Sequence, residues 1–93
     1  MIKSFSDKET EKVFNREFSV RLPTEIQRNA MRKLWVLDAS VSLNDLRVPP
    51  SNHLEKLSGK RKAEYSIRVN DQWRICFSWK NGDAYDVKIE DYH

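Results

Sequence analysis

Cysteine is nearly absent from this chain. Cys76 is the only one among 93 residues, so no intramolecular disulfide can staple the fold. Lying between Ile75 and Phe77 in an alternating run, it reads as an inert, partly buried thiol. Metal-ligand spacing is missing as well. The two histidines, His53 and His93, are far apart in sequence and have no second thiol near them, so neither a metal nor another cofactor is expected. No apolar run approaches the roughly 20 residues that a membrane-spanning helix requires. The first residues, Met1-Ile-Lys-Ser-Phe-Ser, lack the long apolar core of a secretory signal, and the expected location is the cytoplasm, without membrane association. Charge of one sign is also scarce, since the formal net charge is only +3.

What is present argues for a folded chain. With 39% hydrophobic and 11% aromatic residues there is enough apolar surface for a globular core, unlike a disordered segment. At this length, residues 1–93 are expected to form one domain around one small core. The small positive excess is concentrated. Between His53 and Arg74 stand six basic residues (Lys56, Lys60, Arg61, Lys62, Arg68 and Arg74) against three acids, Glu55, Glu64 and Asp71. The rest of the chain balances, with eleven residues of each sign. A localised surplus of this kind suits a polyanion site, although a solvated lysine-rich loop produces the same count.

The hydrophobic period changes along the chain. Ile2–Phe5 alternates and suits a short strand, and Ser6 with Glu9 three residues on reads as the start of a short helix reaching about Phe14. Thr24 and Gln27 form a second start signal, a capping box after Pro23. Ile26, Ala30, Met31, Leu34 and Trp35 then trace one face of a helix ending near Ala39, with Arg28, Arg32 and Lys33 on other faces. A short turn over Leu43–Leu46 precedes Pro49-Pro50. Beyond the prolines the period becomes two. Tyr65/Ile67/Val69, Trp73/Ile75/Phe77/Trp79 and Tyr85/Val87/Ile89 each alternate with polar residues, giving three strands of an antiparallel meander. The fold class is therefore α+β: two N-terminal helices covering the apolar face of a mostly antiparallel β-sheet.

Strand parity extends this reading to the polar face. A three-residue loop, Asn70 to Gln72, pairs Val69 with Trp73 and Ile67 with Ile75, keeping one face dry. It also sets Arg68 opposite Arg74, a like-charge pair that needs an anion or a carboxylate such as Glu64 or Glu90 nearby. An odd loop at Asn81-Gly82-Asp83 pairs Phe77 with Val87 and Ile75 with Ile89. This brings Glu90 near Arg74 and carries Tyr92 onto the polar face.

Tyr65-Ser-Ile-Arg-Val-Asn-Asp-Gln-Trp-Arg-Ile-Cys-Phe77 resembles the core of HigB-like toxins of the RelE/ParE superfamily. So do the ending Glu90-Asp91-Tyr92-His93 preceded by Gly82-Asp83-Ala84, the start Met1–Phe5 and the run Leu46-Arg-Val-Pro-Pro50. The resemblance spans essentially the whole chain, and its specificity lies in the combination of these segments.

The resemblance implies a RelE-like microbial RNase fold and a metal-independent, ribosome-dependent endoribonuclease, an mRNA interferase of a type II toxin–antitoxin system. Such a toxin enters the 30S A site and inhibits translation by cleaving mRNA through attack of the ribose 2′-hydroxyl. The implied partners are the ribosome, mRNA and a cognate HigA-like antitoxin with a helix-turn-helix domain. Carried over by position, Arg74 and Arg68 hold the scissile phosphate, since an arginine fork grips two oxygens at once. His93 handles protons, Tyr92 stacks on a base or orients the substrate, and Asp91 positions His93 or acts on protons itself. A second histidine of some relatives falls at Glu55, with His53 two residues earlier, and a lysine of some relatives falls at Ser58, leaving Lys56 and Lys60 as replacements. The general base is thus left among Glu55, His53 and Asp91, and Lys56, Lys60, Arg61 and Lys62 are expected to contact RNA. Two other readings compete: a ParE-like gyrase inhibitor, and a non-catalytic ribosome- or RNA-binding module using the same basic segment.

Overall fold

Helix α1 (Lys8–Phe14) starts one residue later than expected. Asp7 is its N-cap, accepting the Thr10 amide at 2.8 Å. Its carboxylate also carries the charge that favours a helix N-terminus. Ser6, the residue expected to cap, is drawn away instead: its hydroxyl donates to the Asp86 carbonyl at 2.8 Å. In the computed structural model, which describes residues 1–61 and 63–91, helix α2 (Thr24–Ala39) follows a connection without regular structure. The Thr24–Gln27 capping box does not form, because Thr24 is already the first helical residue and Pro23 occupies the cap. Gln27 reaches back instead. Its amide donates to the carbonyls of Ser19 (2.7 Å) and Leu22 (3.0 Å), tying the connection to the helix. A reciprocal capping box is found at Ser42 and Asp45, at the start of the 3₁₀ turn Leu43–Arg47.

Four strands form one antiparallel sheet in chain order: β1 (Glu55–Lys56), β2 (Glu64–Arg68), β3 (Trp73–Lys80) and β4 (Asp83–Asp91). The short first strand adds to the expected meander. The expected α+β architecture is the one adopted, with α1 and α2 against one face of the sheet. Ile26, Ala30, Leu34 and Leu37 of α2 meet Ile67, Ile75, Phe77, Val87 and Ile89 in the core. Phe77 and Leu34 are fully buried, and burying one such side chain contributes about 1.5–3 kcal/mol. Met31 and Trp35, expected on the core stripe, are only partly buried. Trp35 instead donates its indole N–H to the Phe14 carbonyl at 3.1 Å and stacks under Arg16.

The register between β2 and β3 is the expected one, pairing Ile67 with Ile75 and Arg68 with Arg74. Asn70 sets the loop by accepting the amides of Gln72 (2.8 Å) and Trp73 (2.7 Å) on its side chain. The second hairpin differs from expectation. Lys80 pairs with Asp83 across a two-residue loop in which Asn81 and Gly82 both have positive φ, at 54° and 83°. Two positive-φ residues match the right-handed twist of the flanking strands. The parity this loop would have inverted is restored by an irregularity in β4, where Asp86 adopts φ 54° opposite Cys76–Ser78. A bulge therefore stands where Phe77 was expected to pair with Val87, yet Ile75 still faces Ile89 and Arg74 still faces Glu90.

The outer edge of β4 is covered by the N-terminus. Ile2–Phe5 makes two isolated parallel bridges, Ile2 to Ala84 and Phe5 to Val87, in place of the expected regular strand. Thr10 on α1 completes the cover, its hydroxyl accepting the Ile89 amide at 2.9 Å. Satisfying these edge amides removes a surface on which another chain could pair.

Candidate active site

Strand alternation divides the sheet into a helix-covered face and the opposite one, which carries the polar residues. Ser66, Arg68, Arg74, Cys76 and Glu90 fall on this opposite face, because their neighbours Ile67, Ile75 and Ile89 point into the core. Glu55 joins them, since it pairs with Ser66 across β1 and β2. Beside them lies the turn Pro50–Asn52, with His53 at its end in the left-handed conformation at φ 44°. His53 therefore stands outside β1, and the strand parity expected to align it with Glu55 does not apply.

Arg74 is the most constrained of these side chains, at 8% exposure. Its Nε donates to the Ser66 hydroxyl at 2.8 Å, and its Nη2 donates to the carbonyls of His53 and Ser66. The Glu55 carboxylate lies 3.7 Å from the same Nη2. A guanidinium fixed by fully buried Ser66 is held in one orientation, as a fork for a planar anion must be. Neighbouring Arg68 is half-buried and pairs with Asp71, which is fully exposed. The expectation that Glu64 or Glu90 would relieve the like-charge pair needs correcting. Among the described residues, Arg74 lies beside Glu55 and Arg68 pairs with Asp71.

Glu64 and Glu90 serve another cation. Arg61 donates to Glu64 through Nε (3.2 Å) and Nη2 (2.9 Å), and to Glu90 through Nη2 (2.9 Å). These bonds, first to Glu64 and then to Glu90, raise its proton affinity further. Arg61, expected among the RNA-contacting cations, is thus engaged by two carboxylates. Burial alone would raise the Glu90 carboxyl, but the Cys76 thiol, Arg61 and Lys88 together hold it below its ordinary range. The Cys76 thiol is pushed up to about 12, first by burial and then by its bond to Glu90.

The remaining expected residues separate into groups. Lys56 and Lys60 are exposed and form no ion pair among the described residues. Asp91 pairs with Trp73 in the register, which sets it on the helix side of the sheet, and its carboxylate accepts from Gln72 at 3.1 Å. Lys62, Tyr92 and His93 lie outside the described residues. Among the described residues, no cluster of three histidine, cysteine or acidic side chains is arranged to hold a metal ion, and no helix is long and apolar enough to cross a membrane.

Two contributors to the site went unrecognised in the sequence. Ser66 aligns Arg74; as the polar residue between Tyr65 and Ile67 it was already assignable to this face. Asn52, fully buried, donates to the carbonyls of Leu46 (3.2 Å) and Val48 (3.3 Å) and so shapes the turn that presents the His53 carbonyl. Nothing in its local sequence distinguishes it from an ordinary loop asparagine.

A family model described as the RelE-like toxin of the type II toxin–antitoxin system HigB matches residues 3–93. The chain is 40% identical over 91 residues to Toxin HigB-1 of Vibrio cholerae serotype O1, spanning 97% of this chain and 96% of that one. It is 33% identical over 93 residues to Endoribonuclease HigB of Proteus vulgaris, spanning 100% of both. An uncharacterised protein of Haemophilus influenzae is 39% identical over 70 residues, 75% of this chain and 69% of that one.

Proposed function

Since the chain belongs to the HigB-like family of RelE-like type II toxins, we propose that it is a ribosome-dependent, metal-independent endoribonuclease that cleaves mRNA in the A site. The observation that carries this reading is Arg74, a nearly buried guanidinium oriented by Ser66 and His53 on the sheet face opposite the helices, with Arg68 directly across the strand pair. Relatedness to a protein named an endoribonuclease supports it independently.

The chemistry follows from what such a face can supply. The ribose 2′-oxygen attacks the adjacent phosphorus, the bond from phosphorus to the 5′-oxygen breaks, and a 2′,3′-cyclic phosphate and a free 5′-hydroxyl result. Arg74 and Arg68 hold the phosphate and stabilise the charge that accumulates on its oxygens. Glu55 takes the 2′ proton: it is exposed, on the same face as Arg74, and already 3.7 Å from its guanidinium. His93 returns a proton to the 5′-oxygen and Tyr92 orients a base, roles carried over from the family resemblance. His53 contributes through its carbonyl. Asp91 on the helix side of the sheet is a less suitable base than Glu55. Lys56 and Lys60 draw in the RNA backbone. The whole of residues 1–93 acts as one toxin domain in the cytoplasm, restrained by a helix-turn-helix antitoxin of the HigA kind.

Primer extension on programmed ribosomes, with the same RNA free of ribosomes beside it, tests this reading. Ribosome-dependent cuts within A-site codons are expected, with severe loss in Arg74→Lys, His93→Ala and Glu55→Gln. Cutting that survives Glu55→Gln moves the base to His53 or Asp91. No cutting under any condition refutes the nuclease assignment, and gyrase supercoiling would then be assayed. Ribosome binding that blocks translation without cleavage, abolished by neutralising Lys56 and Lys60, would identify a non-catalytic module.

A further inference from the structure

Helix α2 approaches the sheet closely at one point. The Asn29 amide donates to the Val69 carbonyl at 2.7 Å, next to Arg68. Lys33 is one turn further along the same helical face. There β1 has ended, since it pairs with Tyr65 and Ser66, and the Pro50–Asn52 turn packs against β2 in its place. Lys33 reaches that turn and donates through Nζ to the side-chain oxygen of buried Asn52.

This is an unusual position for a lysine. It is half-buried, its one hydrogen bond is to a neutral amide, and among the described residues no carboxylate forms an ion pair with it. Its neighbour in charge is Arg68. Burial and that positive charge both lower its affinity for a proton. Among the described residues, the carboxylate paired with Arg68 is that of Asp71, which is 99% exposed and screens weakly. Two cations gathered at a partly desolvated edge without a buried counter-charge are unfavourable in the free protein, and an arriving anion relieves them.

We propose that Lys33 adds a second phosphate subsite beside Arg68, holding an RNA backbone phosphate that flanks the one gripped by Arg74 and Arg68. The inference rests on the nuclease reading for its ligand but concerns binding rather than cleavage. The phosphate belongs either to the messenger or to ribosomal RNA. Asn52 then has two roles: its amide shapes the turn carrying the His53 carbonyl, and its oxygen holds the Lys33 ammonium at the sheet edge.

Affinity would be measured for ribosomes programmed with a 2′-O-methyl A-site codon, and for the free 2′-O-methyl trinucleotide, between about 50 and 200 mM salt. Lys33→Gln removes the charge while retaining an amide donor for Asn52, and Lys33→Arg restores the charge. Each phosphate contact on a single strand contributes about 0.7 to the slope of log affinity against log salt. Lys33→Gln should lower that slope by about 0.7, so that affinity falls about 2.5-fold less across this salt range, and Lys33→Arg should recover it. A change in both arms identifies a messenger phosphate, and a change with ribosomes only identifies ribosomal RNA. Wild-type slopes retained by Lys33→Gln in both arms would overturn the subsite, as would wild-type protein that binds neither probe. If wild type binds with this Lys33 dependence yet cuts no messenger, the subsite stands and the nuclease reading falls.

Discussion

Truncating Arg74 to alanine should unfold the protein more easily as well as silence it, and the two effects can be separated. The side chain is 8% exposed, and its Nε bond to Ser66 at 2.8 Å joins a charged donor to a hydroxyl fully shielded from water. Its Nη2 also serves the carbonyls of His53 and Ser66, the latter at a weaker 3.3 Å. Hydrogen bonds to charged groups contribute about 1.5–3 kcal/mol each, and stranded buried acceptors add to the loss. Against this, the mutant no longer buries a guanidinium, which recovers part of the desolvation cost. A net loss of about 2–4 kcal/mol follows, a large fraction of the roughly 5–15 kcal/mol available to a small domain. With a urea dependence of about 1–1.5 kcal/mol per molar, the unfolding midpoint should fall by about 2 M. Circular dichroism in a urea series measures this. Ser66→Ala, which leaves the guanidinium in place, should lower the midpoint by roughly half as much. An Arg74→Ala midpoint within about 0.3 M of wild type would refute the reasoning, because the guanidinium would then carry no structural load.

Three further outcomes follow from the same geometry. The Cys76 thiol, buried and pushed up to about 12, should resist a disulfide reagent at pH 8 until denaturant is added, and rapid stoichiometric labelling of the native protein would contradict this. Glu90 is held below its ordinary value of 4.5, so the unfolded chain takes up the proton first on acidification. Its stabilising contribution is therefore present above about pH 4.5 and lost as pH falls through the folded value; thermal melts should show a shallower acid decline in Glu90→Gln, and parallel declines would count against the assignment. Thr10→Val keeps the shape but strands the Ile89 amide at the covered edge of β4, and the urea midpoint should fall by about 1–2 M, whereas an unchanged midpoint would show that water or another group satisfies that amide.

Much of the fold was legible because hydrophobic period is a local property. Alternation in residues 64–79 defines two strands, and only an odd loop at Asn70–Gln72 keeps their apolar residues on one side, so the Arg68–Arg74 pairing follows from counting. The second hairpin shows where counting stops. The pairing of Arg74 with Glu90 was expected from a three-residue loop, yet it arises from a two-residue loop compensated by the bulge at Asp86. Both routes preserve parity, and parity was all that the pattern encodes. Helix starts were less secure, because several polar residues stood within reach of each first turn. Asp7 won over Ser6, and Gln27 turned to Ser19, once distant partners such as the Asp86 carbonyl became available.

The sequence by itself determined the α+β class, the dry and polar faces of the sheet, the location of the basic surplus and the family to which these motifs belong. Only the tertiary structure decided how each charge is used. It assigned Arg61 to two carboxylates, aligned Arg74 with Ser66 and a backbone carbonyl, and brought Lys33 of α2 to the Pro50–Asn52 turn beside the end of β2. These partners are far apart along the chain, and no local pattern couples them. Charge pairing depends on distance and burial in three dimensions, and a periodic pattern records only which way each side chain faces.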